Sequence, residues 1–160
     1  MAEIIIRCGI IGSGFAAKFH YEALQRLYSV KTEIKGAYSP TPERLKQFTE
    51  SRNIKAFKSI EELIDNVDVI HVCTPPSTHE PIVISALEKN KHVIVEKPFT
   101  GYFGDGREDF NGDKFPRAEG LENALASIKR MIDAEKKSKG KIMYAENWIY
   151  APSVRKEKEM

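Results

Sequence analysis

A chain of 160 residues, 41% hydrophobic and 30% charged, has the length and composition of one soluble globular domain with a core of its own. Its net charge of +2, with Lys and Arg spread among Asp and Glu, argues against nucleic acid and against an anionic membrane, both of which require a concentrated basic face. The opening MAEIIIR is too short and too soon charged for a secretory leader, and no apolar run reaches membrane-spanning length.

In chain order, residues 3–11 form a continuous apolar, β-branched run, the pattern of a strand covered on both faces. GSGFAA follows, and residues 16–28 place Phe19, Ala23, Leu24 and Leu27 on one face of a helix. A second strand is predicted over 33–38. Pro42 opens a helix over 43–52, at a position where its missing N–H costs nothing. Ala56 and Phe57 make a short third strand, and Ser59 followed by Glu62 is a capping-box start for a helix over 60–64. A strand over 67–73, a helix over 80–89 and a strand over 91–95 come next. Strand and helix alternate with short connections, which predicts βαβ units. The fold class is therefore α/β, a doubly wound, mostly parallel sheet with helices on both faces. Cys8 and Cys73 fall inside predicted strands without metal-ligand or redox-pair spacing, and read as buried, reduced thiols of a cytoplasmic protein.

The rhythm breaks over residues 101–120, a glycine- and aspartate-rich extended loop with no period of either kind. Its DFNGD stretch is no calcium loop, because Lys114 takes the place of the required glycine and Gly120 that of the bidentate glutamate. No metal site is expected. A helix over 121–137 and a strand over 141–146 restore the pattern, and AEKKSKGK over 134–141 reads as a solvated helix end with cations at its negative pole. Residues 1–150 are expected to form the domain. Residues 151–160 then begin a helix that stops with the chain, the start of a crossover toward a second α/β domain outside this sequence.

The chemistry concentrates at strand ends. Gly12, Ser13, Gly14, Phe15, Ala16 and Ala17 fit G-x-G-x-x-A between the first strand and the first helix. Gly12 permits the tight turn, Gly14 lets backbone approach a pyrophosphate, Ala17 keeps helix and sheet close, and free N–H groups at the helix start bind the anion. Placed after the first strand of a βαβ run, the pattern points to a dinucleotide. The second strand ends in Ser39, Pro40 and Thr41, without the Asp or Glu that usually holds an NAD ribose. Ser39, Thr41 and Arg44 can instead receive a 2′-phosphate, which tilts the choice toward NADP and leaves NAD open. Arg44 is equally readable as a solvated helix residue.

With GSGFAA, CTPPSTH and EKP in this order on successive strands, the chain resembles the N-terminal domain of the glucose–fructose oxidoreductase, inositol dehydrogenase and rhizopine catabolism (Gfo/Idh/MocA) family. The likeness covers nearly all of the chain apart from residues 101–120. It implies a Rossmann fold in which Phe15 of the glycine turn, and Cys73, Thr74, Pro75 and Pro76 after the fourth strand, border the cofactor, with His79 nearby at the start of the next helix. It implies that Glu96, Lys97 and Pro98 lie beside the nicotinamide. Glu96 would hydrogen-bond the cofactor, Lys97 would meet the reacting hydroxyl as the catalytic residue, and Pro98 would fix the turn, with a cis bond before it as one option. Lys97 is an ammonium with three donors, suited to a place where an alkoxide develops. Asn147, Trp148 and Tyr150 either line the nicotinamide side or, as aromatics, pack at a domain junction. His20 and His71 read as satisfied structural residues.

The function so implied is hydride transfer between NAD or NADP and a secondary alcohol of a small polyol, sugar or cyclitol, with the substrate wall in the second domain. The full-length form is expected to be a homo-oligomer. Two other readings compete: a stand-alone dinucleotide-binding or redox-sensing module without its own catalysis, and a fragment that binds nothing until a second half closes the pocket.

Overall fold

The computed structural model describes residues 4–104, 106 and 109–160. Six strands, β1 (Ile5–Ile11), β2 (Lys31–Tyr38), β3 (Lys55–Ala56), β4 (Val69–Val72), β5 (His92–Glu96) and β6 (Ile142–Ala145), form one sheet in the order β3-β2-β1-β4-β5-β6. Every neighbouring pair is parallel. Six helices connect or follow them: α1 (Phe15–Gln25), α2 (Pro42–Glu50), α3 (Ile60–Asp65), α4 (His79–Glu88), α5 (Arg117–Lys137) and α6 (Pro152–Glu159). Chain order runs outward from β1 toward β3, then jumps back to β4 and runs the other way. The gap between β1 and β4 is thus a topological switch point, where open α/β sheets bind their ligands.

The core explains why both faces are covered. Alternate residues of β1 point to opposite sides. Cys8 and Ile10 pack with Ala17 and Leu24 of α1 and Leu45 and Phe48 of α2. Ile11 joins Leu63 of α3, Val83 of α4 and Met131 of α5 on the other face. Ser59 caps α3 by accepting from Glu62 N–H at 3.1 Å, while Glu62 reaches past it to accept from Lys58 N–H, a capping box displaced by one residue. α5 ends in Lys136 and Lys137, as the charge run suggests.

Three expectations need correction. The run over 3–11 is not covered throughout: Ile4 and Ile5 are exposed and burial is complete only from Cys8 onward, where α1 and α3 flank the strand. Glu3 lies outside the described residues. The inward face of α1 is not the Phe19–Leu27 stripe. Of those four residues Leu24 is buried as expected, but Phe19 and Leu27 are 60% and 47% exposed and Ala23 is exposed. Ala17 joins Leu24 on the inner face, because the chain enters the helix at Phe15 and so sets the rotation by Ala17. Finally, α5 begins at Arg117, four residues before the predicted start. Ahead of it, Phe110 and Phe115 pack ring to ring with Tyr102 at 5.3 and 4.8 Å, so the described part of the 101–120 segment has an aromatic cluster of its own.

Candidate functional site

Parallel register aligns the strand ends that matter. Ile11 on β1 pairs with Tyr38 on one side and Val72 on the other; Val72 pairs with Val95, and Val95 with Tyr144. The segments that follow, Gly12 to Ala17, Ser39 to Arg44, Cys73 to Pro76, Glu96 to Pro98 and the stretch holding Asn147, therefore leave the sheet along one edge. Segments far apart in the sequence thereby become loops along one edge.

The β1–α1 turn leaves no room for a side chain at its first glycine. Gly12 has φ +116°, its N–H donates to Tyr38 O at 2.8 Å, and an added Cβ would stand 2.5 Å from Cys73 O. Gly14, the N-cap of α1, is the opposite case: an added Cβ would meet nothing within 4 Å. The helix start carries no side-chain cap, and the first N–H groups of a helix have no partner within it. Phe15 is exposed beside it, and Ala17 is fully buried against the sheet. Ser13 donates to Ser39 Oγ at 3.0 Å, tying the turn to the end of β2, where Ser39 is itself buried. Thr41 stands at the N-cap position of α2 without a side-chain capping bond, and Arg44 lies in the helix's first turn. A cavity of about 460 Å³ opens between α1 and α2, lined by Ser13, Gly14, Lys18, Arg44, Gln47 and Arg52 among others, with no Asp or Glu in its wall. Arg52 stacks over Phe48 at 4.3 Å and over Tyr21 at 5.1 Å. A second hollow, about 550 Å³ between α4 and α5, lies away from the strand ends and from every motif.

After β4, Cys73 N–H donates to Ile11 O at 2.8 Å, prolonging the pairing past the strand. Burial pushes its thiol well above the ordinary range, and Cys8 up to about 11; both are free thiols and neither is poised as a nucleophile. Thr74 receives a hydrogen bond from Thr78 Oγ1 at 2.7 Å, and Pro75 leads into the short 3₁₀ turn Pro76–Thr78. His79, fully buried, sets its ring between Thr74 O at 3.0 Å and Phe99 O at 3.2 Å. That makes it a strut between the loops after β4 and β5, without surface to offer a ligand.

At the end of β5, Glu96 turns inward. Its Oε1 lies 2.9 Å from His20 Nε2, and its Oε2 accepts from Lys97 N–H at 3.1 Å. His20 Nδ1 in turn lies 2.8 Å from His71 Nδ1. Lys97 is exposed, and among the described residues no hydrogen bond or ion pair holds its ammonium. The Lys97–Pro98 peptide is cis. Phe99 packs edge-on against Tyr144 at 5.6 Å, and Thr100 meets Ser127 at 2.9 Å. Beyond β6, Asn147 precedes the 3₁₀ turn Trp148–Tyr150, whose Trp148 and Tyr150 are 68% and 65% exposed.

Sequence reasoning overlooked two groups here. Lys18, Gln47 and Arg52 line the α1–α2 cavity. The only signal for Lys18 and Gln47 was position one turn along from Gly14 and Arg44, and Arg52, just past the end of α2, had none. The His20–His71 pair is not fully satisfied, against expectation, for His71 Nε2 is buried without a partner among the described residues. Its signal was that His20 follows Ala17 by three on a helix, which puts both on the inner face. Among the described residues no cluster of His, Cys, Asp and Glu could hold a metal ion, and no helix is long and apolar enough to cross a membrane.

Comparison with known proteins agrees with this geometry. The model for an oxidoreductase family with an NAD-binding Rossmann fold, Gfo/Idh/MocA, matches residues 6–109. UDP-N-acetylglucosamine 3-dehydrogenase of Acidithiobacillus ferrooxidans is 31% identical over 97 residues, 61% of this chain and 30% of that protein. Myo-inositol 2-dehydrogenase of Thermotoga maritima is 32% identical over 137 residues, 83% of this chain and 34% of that protein. Among solved structures, GenD2 from gentamicin A biosynthesis in complex with NAD superposes with a TM-score of 0.76 at 19% identity, covering 99% of this chain and 39% of that one. The chain thus spans about a third of the length of the curated relatives it matches. The Rossmann topology, the motif-bearing strand ends and the family match converge, and the chain belongs to the Gfo/Idh/MocA oxidoreductase family through its NAD-binding domain.

Proposed function

We propose that this chain is the cofactor-binding domain of an NAD(P)-dependent oxidoreductase that moves hydride between nicotinamide and a secondary alcohol of a sugar or cyclitol. The observation that carries the reading is the contrast at the β1–α1 turn. Gly12 is filled against Cys73 O, whereas Gly14 opens onto free space at an uncapped helix start. A pyrophosphate fits that cradle, held by the N–H groups of Phe15, Ala16 and Ala17 and by the favourable end of the α1 dipole. The bound nicotinamide would supply the hydride acceptor or donor. Thr74, Pro75 and Pro76 would border it on one side and Glu96, Lys97 and Pro98 on the other, with Asn147 and Trp148 beyond. His79 contributes by holding the two loops at a fixed separation, and Cys73 through its backbone. Lys97, exposed and unengaged, is the residue to hold a developing alkoxide and steady its charge.

The basic, carboxylate-free wall of the α1–α2 cavity supports NADP, with Arg44, Ser39 and Thr41 joined by Lys18 and Arg52 around a 2′-phosphate. Residues 1–150 act as the dinucleotide domain. α6, which has no buried residue, fits a crossover toward a substrate-binding region in a homo-oligomeric, cytoplasmic enzyme. Calorimetric titration with NADP and with NAD tests the reading. Gly14→Val is expected to abolish binding, a loss of more than about a hundredfold in affinity, with the melting temperature unchanged because the new side chain enters open space. Undiminished affinity in that variant would remove the glycine turn from the site.

A further inference from the structure

The three groups joined at the end of β5 connect parts of the chain that no motif links. His71 lies in the middle of β4, and Glu96 ends β5 on the same face of the sheet, the face that α1 covers. His20 stands on α1 between them, one turn past Ala17. The ring of His20 crosses that of His71 nearly at right angles, 85° with centroids 5.1 Å apart, which brings the two Nδ1 atoms to 2.8 Å. His20 and Glu96 side chains are only 12% and 19% exposed, and His71 is buried inside the strand.

Two nitrogens facing each other must share one proton, and their other contacts say which ring owns it. Glu96 as a carboxylate only accepts, so His20 Nε2 donates to Oε1. If His71 donates from Nδ1 to His20 Nδ1, each ring carries a single proton and both contacts are made. His71 Nε2 is then a bare lone pair, in agreement with a buried nitrogen that has no partner. In the reverse arrangement His20 carries two protons and His71 must hold its own on Nε2, an N–H buried with nothing to receive it. Orphaned buried N–H groups are the rarer of the two defects. Burial, followed by the neighbouring His20, holds His71 far below the ordinary imidazole value, at about 3, so that its ring stays neutral in either case.

We propose that His71 and His20 are positioning residues that pass an oriented hydrogen bond, Nδ1–H to Nδ1 and then Nε2–H to Oε1, onto the Glu96 carboxylate. The chain fixes the Glu96-Lys97-Pro98 turn to α1, the helix whose start forms the phosphate cradle. The two halves of the site, joined where His20 meets Glu96 across 76 residues of sequence, are thereby held at one spacing by side chains that touch no ligand. The functional part rests on the dinucleotide reading; the proton arrangement stands without it.

Two measurements decide the matter. Long-range ¹H–¹⁵N spectra of the four histidines at neutral pH separate protonated from bare ring nitrogens. The expected pattern is His71 protonated on Nδ1 and bare on Nε2, with His20 the reverse. A proton on His71 Nε2 would overturn the proposal. Calorimetry with NADP then supplies a readout that a merely structural role would not move. His20→Ala is expected to weaken binding roughly tenfold, and to cost nothing further once Glu96→Ala is present, while His20→Gln, which keeps a donor, recovers most of the loss. Equal losses from His20→Ala in both backgrounds would sink the relay. Should His20→Ala fail to fold, His71→Phe takes its place, with the same dependence on Glu96 expected. A wild-type chain that binds neither nucleotide counts against the dinucleotide reading, and the spectra still decide the proton arrangement.

Discussion

At the amino edge of the sheet, Arg7 on β1 grips Asp68, one residue before β4, through Nη2–Oδ1 at 2.6 Å and Nε–Oδ2 at 3.0 Å, and both side chains stay open to water, 47% and 37% exposed. At the carboxyl edge, polar groups are withdrawn from solvent: His79 between two carbonyls, His71 inside β4, His20 against Glu96. The distances are comparable, but the energetics are not. Water can take over either half of the exposed pair if its partner goes, so little is lost. A buried imidazole or carbonyl has no such recourse, and losing its partner costs the desolvation of the orphan. The molecule thus accepts unforgiving contacts on the edge that carries the site, where loops must keep a fixed spacing, whereas the Arg7–Asp68 pair on the other edge is a reversible one.

The largest expected effect that would sharpen this contrast is at His79. His79→Leu removes the strut: the neutral ring donates to one of the two part-buried carbonyls, Thr74 O or Phe99 O, and that carbonyl loses its donor, so a loss of about 2 kcal/mol is expected, read as a lower urea midpoint. A loss under about 0.5 kcal/mol, in the range of ordinary surface substitutions, would mean that the loops are held by other means. The next effect is a pH dependence. The folded pKa of His71, lowered to about 3 chiefly by burial, lies below its unfolded value, so below about pH 6.5 the unfolded chain takes up a proton that the folded chain refuses. Stability is present above that pH and is lost as pH falls toward 3, at about 1.4 kcal/mol per pH unit from this group. Urea denaturation of wild type and His71→Leu between about pH 6 and about pH 4 isolates this contribution: the variant is expected to show the shallower slope. Parallel slopes would show that His71 is protonated within the fold.

How much of this was legible beforehand follows from the range of the forces involved. The alternation of apolar runs announced the parallel sheet, because each strand's burial is written in its own residues. Gly12, Gly14 and Ala17 were readable because turn geometry is local, and the order of GSGFAA, CTPPSTH and EKP identified the family without any coordinates. What failed in part was the rotation of α1: Leu24 is buried as expected, but Phe19, Ala23 and Leu27 are not. Phe19 and Leu27 are the more hydrophobic choices, yet Ala17 faces the sheet because the glycine turn delivers the helix at close range, where only a small residue fits. That same rotation carries His20 inward, and its pairing with His71 and Glu96 spans 51 and 76 residues. Contacts between three separate elements leave no period or spacing to read. Lys18 and Arg52 were missed for the same reason, since the cavity they line exists only once α1 and α2 pack side by side.

The smallest expected effect lies at the amino edge, where the comparison can be broken. The hydrogen bond from the Arg7 guanidinium holds the Asp68 carboxyl at about 2, helped by the Arg7 N–H and charge, below the ordinary carboxylate value of about 3.9. The folded state therefore favours the ionised form. Its contribution is present above about pH 4 and is lost as pH falls through 2. Because both partners are more than a third exposed, solvent screening leaves under about 1 kcal/mol of it in Asp68→Asn, and less still in molar salt. Thermal melts of the variant at low and high salt measure that remainder directly. A loss as large as that from His79→Leu, insensitive to salt, would place a desolvated contact at the amino edge as well, and the division between the two edges of the sheet would fall.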